Sequence, residues 1–138
     1  MNLLAKAFIK GHVLLYTLSK GKLATTMRGV PILVLTTRGA KTGAERRVPI
    51  VPLIEGDKMY VIASMGGAPK HPAWYLNLKA HPQVEVEMYG KKWKANAVDL
   101  QEPERTRIWE RVIAAMPGFA DYQQKTSRVI PVIDLVRT

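Results

Sequence analysis

The chain contains no cysteine. It therefore has neither a disulfide framework nor a thiolate metal site, and its three histidines, His12, His71 and His81, lack the spacing of a ligand pair. No metal is expected, and redox chemistry in such a chain would need an organic cofactor. Long apolar runs are also missing. No stretch reaches the roughly 18 residues that span a bilayer, and the apolar N-terminal segment is cut by Lys10, Gly11 and His12 with no small-residue cleavage site after it. The expectation is a cytoplasmic chain, neither exported nor transmembrane.

Acidic residues are scarce. Lys and Arg outnumber Asp and Glu by 21 to 11, for a net charge of +10. Residues 1–44 carry Lys6, Lys10, Lys20, Lys22, Arg28, Arg38 and Lys41, with no acid before Glu45. A field of that sign concentrates anions, which leaves nucleic acid, anionic lipid and phosphorylated small molecules as partner classes. Trp93, flanked by Lys91, Lys92 and Lys94, is the one hint of nucleic-acid binding. Lysine-flanked strands are usually solvated faces and no recognised binding motif is present, so no nucleic acid is expected.

With 138 residues, 47% of them hydrophobic, the composition suits one domain over 1–138, without linker or repeat. Residues 2–19 place Leu4, Ala7, Phe8, Gly11, Leu14, Leu15 and Leu18 on one helical stripe opposite Lys6 and Lys10. Two roles stay open for this amphipathic helix: packing on its own domain, or peripheral docking on the anionic inner face of a membrane. Strands are expected at Val30–Thr37, Arg46–Ile54, Lys58–Met65, Gln83–Tyr89, Lys92–Leu100 and Val129–Val136. Pro49 and Pro52 make the second an edge, bulged or barrel-corner strand. Helices are expected from Pro72 to about Ala80, from Pro103 to Pro117, and over Ala120–Lys125. Hairpins, not crossovers, join the strands, which favours an antiparallel barrel, closed or nearly so, with helices outside.

Two constellations carry chemistry. Thr36-Thr37-Arg38-Gly39-Ala40-Lys41-Thr42-Gly43-Ala44-Glu45-Arg46-Arg47 is a strand-to-strand loop with two glycines and four cations. It can fold amides and cationic groups around a phosphate, or be an ordinary hairpin with solvated cations. Its glycine spacing is too short for a Walker A loop, and no helix follows. The second constellation is Ser64-Met65-Gly66-Gly67 followed by His71-Pro72-Ala73-Trp74-Tyr75-Leu76-Asn77, where a strand end, a glycine pair and a helix start form a mouth for a flat ring. Singly, Trp74 and Tyr75 read as core or rim aromatics, and Lys70 and His71 as solvated.

The succession TTRGAKTGAERRVP, ASMGGAPKHPAWYLNLKAHPQVEVE and MPGFADYQQKTSRVIPVIDL resembles the deazaflavin-dependent nitroreductase family, which includes F420H2-dependent quinone reductases. The resemblance spans Val30 to Leu135. It implies a mainly β fold with flanking helices, an antiparallel split β-barrel of the FMN-binding split-barrel type. It also implies an oxidoreductase that uses reduced coenzyme F420, an 8-hydroxy-5-deazaflavin, against a small-molecule acceptor: a quinone, a nitroaromatic or an unsaturated lactone. By position, Lys41, Thr42 and Arg46 match phosphate and tail contacts, and Arg47, Val48, Pro49, Ile50 and Val51 match the strand beside the ring. Ile62, Ala63, Ser64 and Met65 match the strand end facing the deazaflavin, and Ala73, Trp74, Tyr75, Leu76 and Asn77 the helix start that covers it. Ser64 and Tyr122 are the expected catalytic hydroxyls, with Met116 and Phe119 in the substrate pocket.

The chain departs from the pattern at Ala40, where a basic residue is common, at Met65, where a lysine occurs, and at Val51, Met116 and Phe119, where tyrosines occur. These departures leave cofactor binding better supported than any one acceptor. Two alternatives remain at this stage: an FMN-binding reductase on the same barrel, and a non-enzymatic lipid- or haem-binding protein at a membrane.

Overall fold

A computed structural model describes residues 26–27 and 30–138. The helix expected at 2–19 lies outside them. A two-stranded hairpin of β1 (Thr26–Met27) and β2 (Val30–Pro31) precedes a seven-stranded sheet. Its strands are β3 (Leu33–Arg38), β4 (Glu45–Ile50), β5 (Leu53–Glu55), β6 (Lys58–Ile62), β7 (Gln83–Met88), β8 (Lys91–Asp99) and β9 (Val132–Arg137). The order is β4-β3-β7-β8-β9-β6-β5, with every pair antiparallel. Three helices accompany it: α1 (Ala73–Ala80), α2 (Glu104–Ala115) and α3 (Gly118–Gln124).

The single strand expected at Arg46–Ile54 is two strands, β4 and β5, that lie at opposite edges of the sheet. Only Val51 and Pro52 separate them. Three Cα steps reach at most about 11 Å, whereas six interstrand spacings in a flat sheet would put the edges about 29 Å apart. The sheet is therefore curled into a half-barrel whose two edges meet at Pro52. Among the described residues no ladder joins β4 to β5, so the seam stays open.

Curling gives the sheet an inside and an outside, and the period of two assigns residues to them. Leu33 and Leu35 of β3, Val84, Val86 and Met88 of β7, Ala95 and Ala97 of β8, and Ile133 and Leu135 of β9 form the buried interior with Val61, Ala63 and Leu78. Outside, Leu53, Tyr60, Ile62 and Val132 meet Ile108 and Val112 of α2 in a second buried cluster, flanked by Trp109, Met116, Phe119 and Tyr122. Ile108 and Val112 are one helical turn apart, which is why one stripe of α2 suffices to cover β5, β6 and β9.

After β6 the chain turns sharply. Met65, Gly66 and Gly67 have φ of 47°, 66° and 84°, three successive left-handed residues. Gly67 is required twice over, because a Cβ there would lie 2.6 Å from the Tyr122 carbonyl oxygen and 2.9 Å from Lys125 Cβ. At Gly66 a Cβ would meet nothing within 4 Å. Gly66→Ala should thus cost only the left-handed strain, about 1–2 kcal/mol. Gly67→Ala should cost clearly more, since α3 must also shift. Urea unfolding of the two variants in parallel checks this ranking, and equal losses would contradict the close packing of α3 on the turn.

Candidate functional site

The basic loop between β3 and β4 is compact. Gly39 N–H donates to the Ala44 carbonyl (2.7 Å), Gly43 N–H donates to the Gly39 carbonyl (2.8 Å), and Thr42 Oγ1 accepts from Ala44 N–H (3.2 Å). The loop is anchored to α1 by one amide side chain. Buried Asn77 accepts from Ala40 N–H through Oδ1 (3.0 Å) and donates from Nδ2 to Thr37 Oγ1 (3.2 Å). Asn77, expected as a cofactor contact, thereby positions the loop. Arg38, Lys41 and Arg46 are exposed, and among the described residues no carboxylate pairs with them.

The block expected beside a ring, Arg47 to Val51, is divided between the two faces of β4. Val48 and Ile50 pack toward the barrel interior, and Arg46 shares their face opposite Thr37. Arg47 and Pro49 point the other way, where Arg47 approaches Glu87 at 3.6 Å. Half-buried Val51 starts the corner. The strand end Ile62 to Met65 is divided likewise: Ile62 lies under α2 in the outer cluster, whereas Ala63 faces the interior. Side chains of both faces cannot line one surface, so Arg47, Pro49 and Ile62 are separated from Arg46, Val48, Ile50 and Ala63.

α1 connects the loop to the turn. Trp74 and Tyr75 pack half-buried on the interior, while Ala73 and Leu76 are exposed. The Tyr75 hydroxyl is committed to the protein. It donates to Asp99 Oδ2 at 2.6 Å, and Lys79 Nζ donates to the same oxygen at 3.1 Å. Burial first, then the carboxylate, push the Tyr75 pKa far above its ordinary value, so the phenol stays protonated.

The turn after β6 presents Ser64 and Met65. Ser64 is 8% exposed, and its hydroxyl makes no capping bond to the turn it begins. α3 packs on the turn through Tyr122, whose ring receives the Phe119 ring edge-on at 5.6 Å. Met116 and Phe119 flank the outer cluster, half-buried. The structure thus brings Ser64, Met65 and the Tyr122 segment together, and gathers Lys41, Thr42, Arg46 and Asn77 at the other end of α1.

Two residues escaped the sequence reading. Arg128 donates from Nε to the Ala68 carbonyl (2.9 Å), from Nη1 to the Ala63 carbonyl (3.1 Å) and from Nη2 to the Ser64 carbonyl (2.7 Å). His71, expected to be solvated, instead meets Arg128 Nη1 through Nδ1 at 3.1 Å and lies against the Tyr75 ring, tilted by 40° with centroids 4.6 Å apart. The signals in the sequence were Arg128's place in the third motif and His71's in the second. His71 also lines a cleft of about 270 Å³ with Tyr75, Asp99, Gln101, Glu102 and Arg105.

The described residues suit the cofactor that the motifs imply. The loop offers the exposed cations Arg38, Lys41 and Arg46, for which no acidic partner lies among the described residues, and the glycine turn leaves open space above Gly66 for a flat group. Among the described residues no helix is long and apolar enough to cross a membrane, and no group of His, Asp and Glu could hold a metal ion.

The family model of F420H(2)-dependent quinone reductase matches residues 8–137. An F420H(2)-dependent quinone reductase of Mycobacterium tuberculosis (strain H37Rv) is 36% identical over 130 residues, 91% of this chain and 87% of that protein. A solved structure described as an F420-H2 dependent reductase is 43% identical with a TM-score of 0.69, covering 76% of this chain and 93% of the other. Another, described as a domain-swapped dimer, is 38% identical with a TM-score of 0.72, covering 89% and 93%. With the half-barrel, the motifs and the matched span in agreement, the chain belongs to the F420H2-dependent quinone reductase family of split-barrel oxidoreductases, whose cofactor is coenzyme F420.

Proposed function

We propose that this enzyme reduces an apolar quinone, holding the anionic part of coenzyme F420 on the β3–β4 loop and the acceptor against the Ser64 turn and α3. The observation that carries the acceptor assignment is the character of the α3 wall. Met116, at the end of α2, and Phe119 of α3 are half-buried against the outer cluster, so what they leave exposed near the turn is thioether and phenyl, with the Tyr122 phenol next to Phe119. An apolar ring loses water against such a wall without leaving polar atoms unpaired. A nitro group or a lactone, by contrast, finds few donors.

In its reduced form the cofactor supplies a hydride, and the enzyme's task is alignment and charge stabilisation. Lys41, Thr42 and Arg46 bind the phosphate and tail, with the loop kept in shape by Asn77. Val48 and Ile50, half-buried on the interior face, would shield one side of the cofactor from water, and Ala63 packs fully buried among the interior residues. The Ser64 hydroxyl, free of any capping bond, donates to the acceptor oxygen as charge develops there. Tyr122 is the second donor and can pass a proton to the reduced acceptor, completing the hydroquinone. The N-terminal segment, with Lys6 and Lys10 opposite a leucine stripe, would bring the enzyme to the anionic inner face of a membrane, where apolar quinones dissolve.

Fluorescence titration with coenzyme F420 beside FMN tests the cofactor assignment. Micromolar or tighter preference for the deazaflavin is expected, and preference for FMN overturns it. Lys41→Ala and Arg46→Ala should each weaken binding about tenfold, as expected for one lost charge-assisted contact at an exposed site. Lys92→Ala, on the outer face of β8 beside Glu85 and Glu87, should leave affinity within about twofold. For the acceptor, menadione turnover should exceed nitroimidazole turnover in the same assay, and equality or reversal would refute the apolar pocket. Cosedimentation with anionic vesicles, comparing the full chain with one lacking residues 1–20, tests the membrane role; equal pelleting counts against it.

A further inference from the structure

The end of β6 and the turn after it carry main-chain carbonyls that the sheet does not use. Ala63 still pairs through its N–H, which donates to the Pro131 carbonyl at 3.0 Å. The Ser64 carbonyl accepts from Gly67 N–H at 2.9 Å and the Met65 carbonyl from Ala68 N–H at 3.2 Å. The Ala63, Ser64 and Ala68 carbonyls all converge on one guanidinium. Arg128 therefore ties the residue just after β6, the first turn residue and the turn's exit to one rigid plane, which a lysine could not do because its three N–H donors share one nitrogen.

The fourth contact sets a condition. Arginine has no acceptor, so His71 Nδ1 must receive the N–H of Nη1 and must itself be unprotonated, leaving the imidazole proton on Nε2. A protonated imidazole would place a second cation 3.1 Å from the first. The charged and titratable groups facing His71 are Arg128 from the segment before β9, Tyr75 of α1, Asp99 at the end of β8, and Glu102 and Arg105 across the cleft. Tyr75 is neutral, and Asp99 is already occupied by Tyr75 and Lys79. Arg128 is itself held from behind. Gln123 Nε2 donates to the Arg128 carbonyl at 2.7 Å, and Gln123 Oε1 accepts from Ile130 N–H at 3.0 Å.

We propose that Arg128 is a positioning residue of the reductase, fixing the Ser64–Ala68 turn in the geometry that presents the Ser64 hydroxyl to the acceptor, and that it does so only while His71 is uncharged. The inference rests on the proposed role of that turn. Burial, reinforced by Arg128 and opposed by Asp99, keeps the His71 pKa below the ordinary 6.5. Turnover should accordingly stay flat above that value and fall as pH drops through the lowered one. The linked stability has the same sign: the unfolded chain takes up the proton first, so stability present above pH 6.5 is lost on acidification.

Two variants test the proposal. In Arg128→Lys, amide hydrogen exchange of cofactor-free protein should quicken about tenfold or more at Gly67 and Ala68 while β3 and β7 keep their protection. The kcat for menadione should fall about tenfold, with the F420 dissociation constant within about threefold. In His71→Gln, an acceptor remains for Arg128 but the titration is gone, so the acid limb of the pH–kcat profile, normalised to its own plateau, should vanish. Unchanged exchange at Gly67 and Ala68 in Arg128→Lys, or an acid limb persisting in His71→Gln at the same midpoint, overturns the proposal. If the wild-type chain fails to bind F420, the assigned reaction falls, and the exchange measurement on the cofactor-free protein still decides the clamp.

Discussion

Two residues, Val51 and Pro52, must carry the chain from one edge of a seven-stranded sheet to the other. A flat sheet cannot satisfy that constraint, and nearly everything else follows from the curl it imposes. The concave side closes on itself and is filled largely by small and branched residues, Ala63, Ala95 and Ala97 beside Val61, Val86 and Leu35, with Trp74, Tyr75 and Trp93 packed against it. The convex side at β5, β6 and β9 remains apolar and must be covered, which gives α2 its place and α3 its position against the turn. Proline suits the corner because that position needs no ladder donor.

The site then belongs to the rim of the barrel, and α1 is what gives the rim two working ends. Its N-terminal side follows the turn that Arg128 holds, and its buried Asn77 pins the basic loop 37 residues earlier in the chain. One helix of eight residues thereby sets the separation between the basic loop and the hydroxyl-bearing turn. The polar groups that do this are buried and satisfied, whereas the cations that would meet an anion are exposed and lack acidic partners among the described residues. Rigid support beneath and available charge above is the arrangement that binding without reorganisation requires.

Much of this was legible in the sequence because it depends on local pattern. The hairpins, the loop of two glycines and four cations, the helix opened by Pro72 and the corner marked by Pro49 and Pro52 all follow from turn chemistry and period. What the pattern hid is long-range. The run Arg46–Ile54 reads as one strand, because nothing within it says that its halves pair with different neighbours. Carrying over Arg47 to Val51 as a block overlooks the period of two, which the sequence itself supplies and which sends Arg47 and Pro49 to the far face. His71 sits among loop formers and reads as solvated, and Arg128 has no local pattern beyond its place in the third motif. Their partners lie 57 to 65 residues apart in sequence, beyond the reach of any window.

Arg128 and Arg105 share one unusual property in a chain of net charge +10: both are partly or fully buried, and both are solvated by carbonyls instead of carboxylates. Arg105 spends Nε and Nη2 on the Ile130 carbonyl and lies 4.6 Å from the centre of the Trp109 ring. Burial lowers the pKa of both, and for Arg105 the nearby Glu102 carboxylate opposes that shift. An acid partner for Arg128 would have offset the cost of burial, but it would also have cancelled the field. Carbonyl dipoles satisfy the guanidinium N–H groups one by one and leave its positive charge uncompensated, 2.7 Å from the backbone of Ser64. In the proposed arrangement negative charge builds on an acceptor beside the turn, and a fixed cation behind that turn would favour the charged state over the neutral one. Arg128 can thus set the shape of the turn and its potential at once, which a carboxylate-paired arginine could not do.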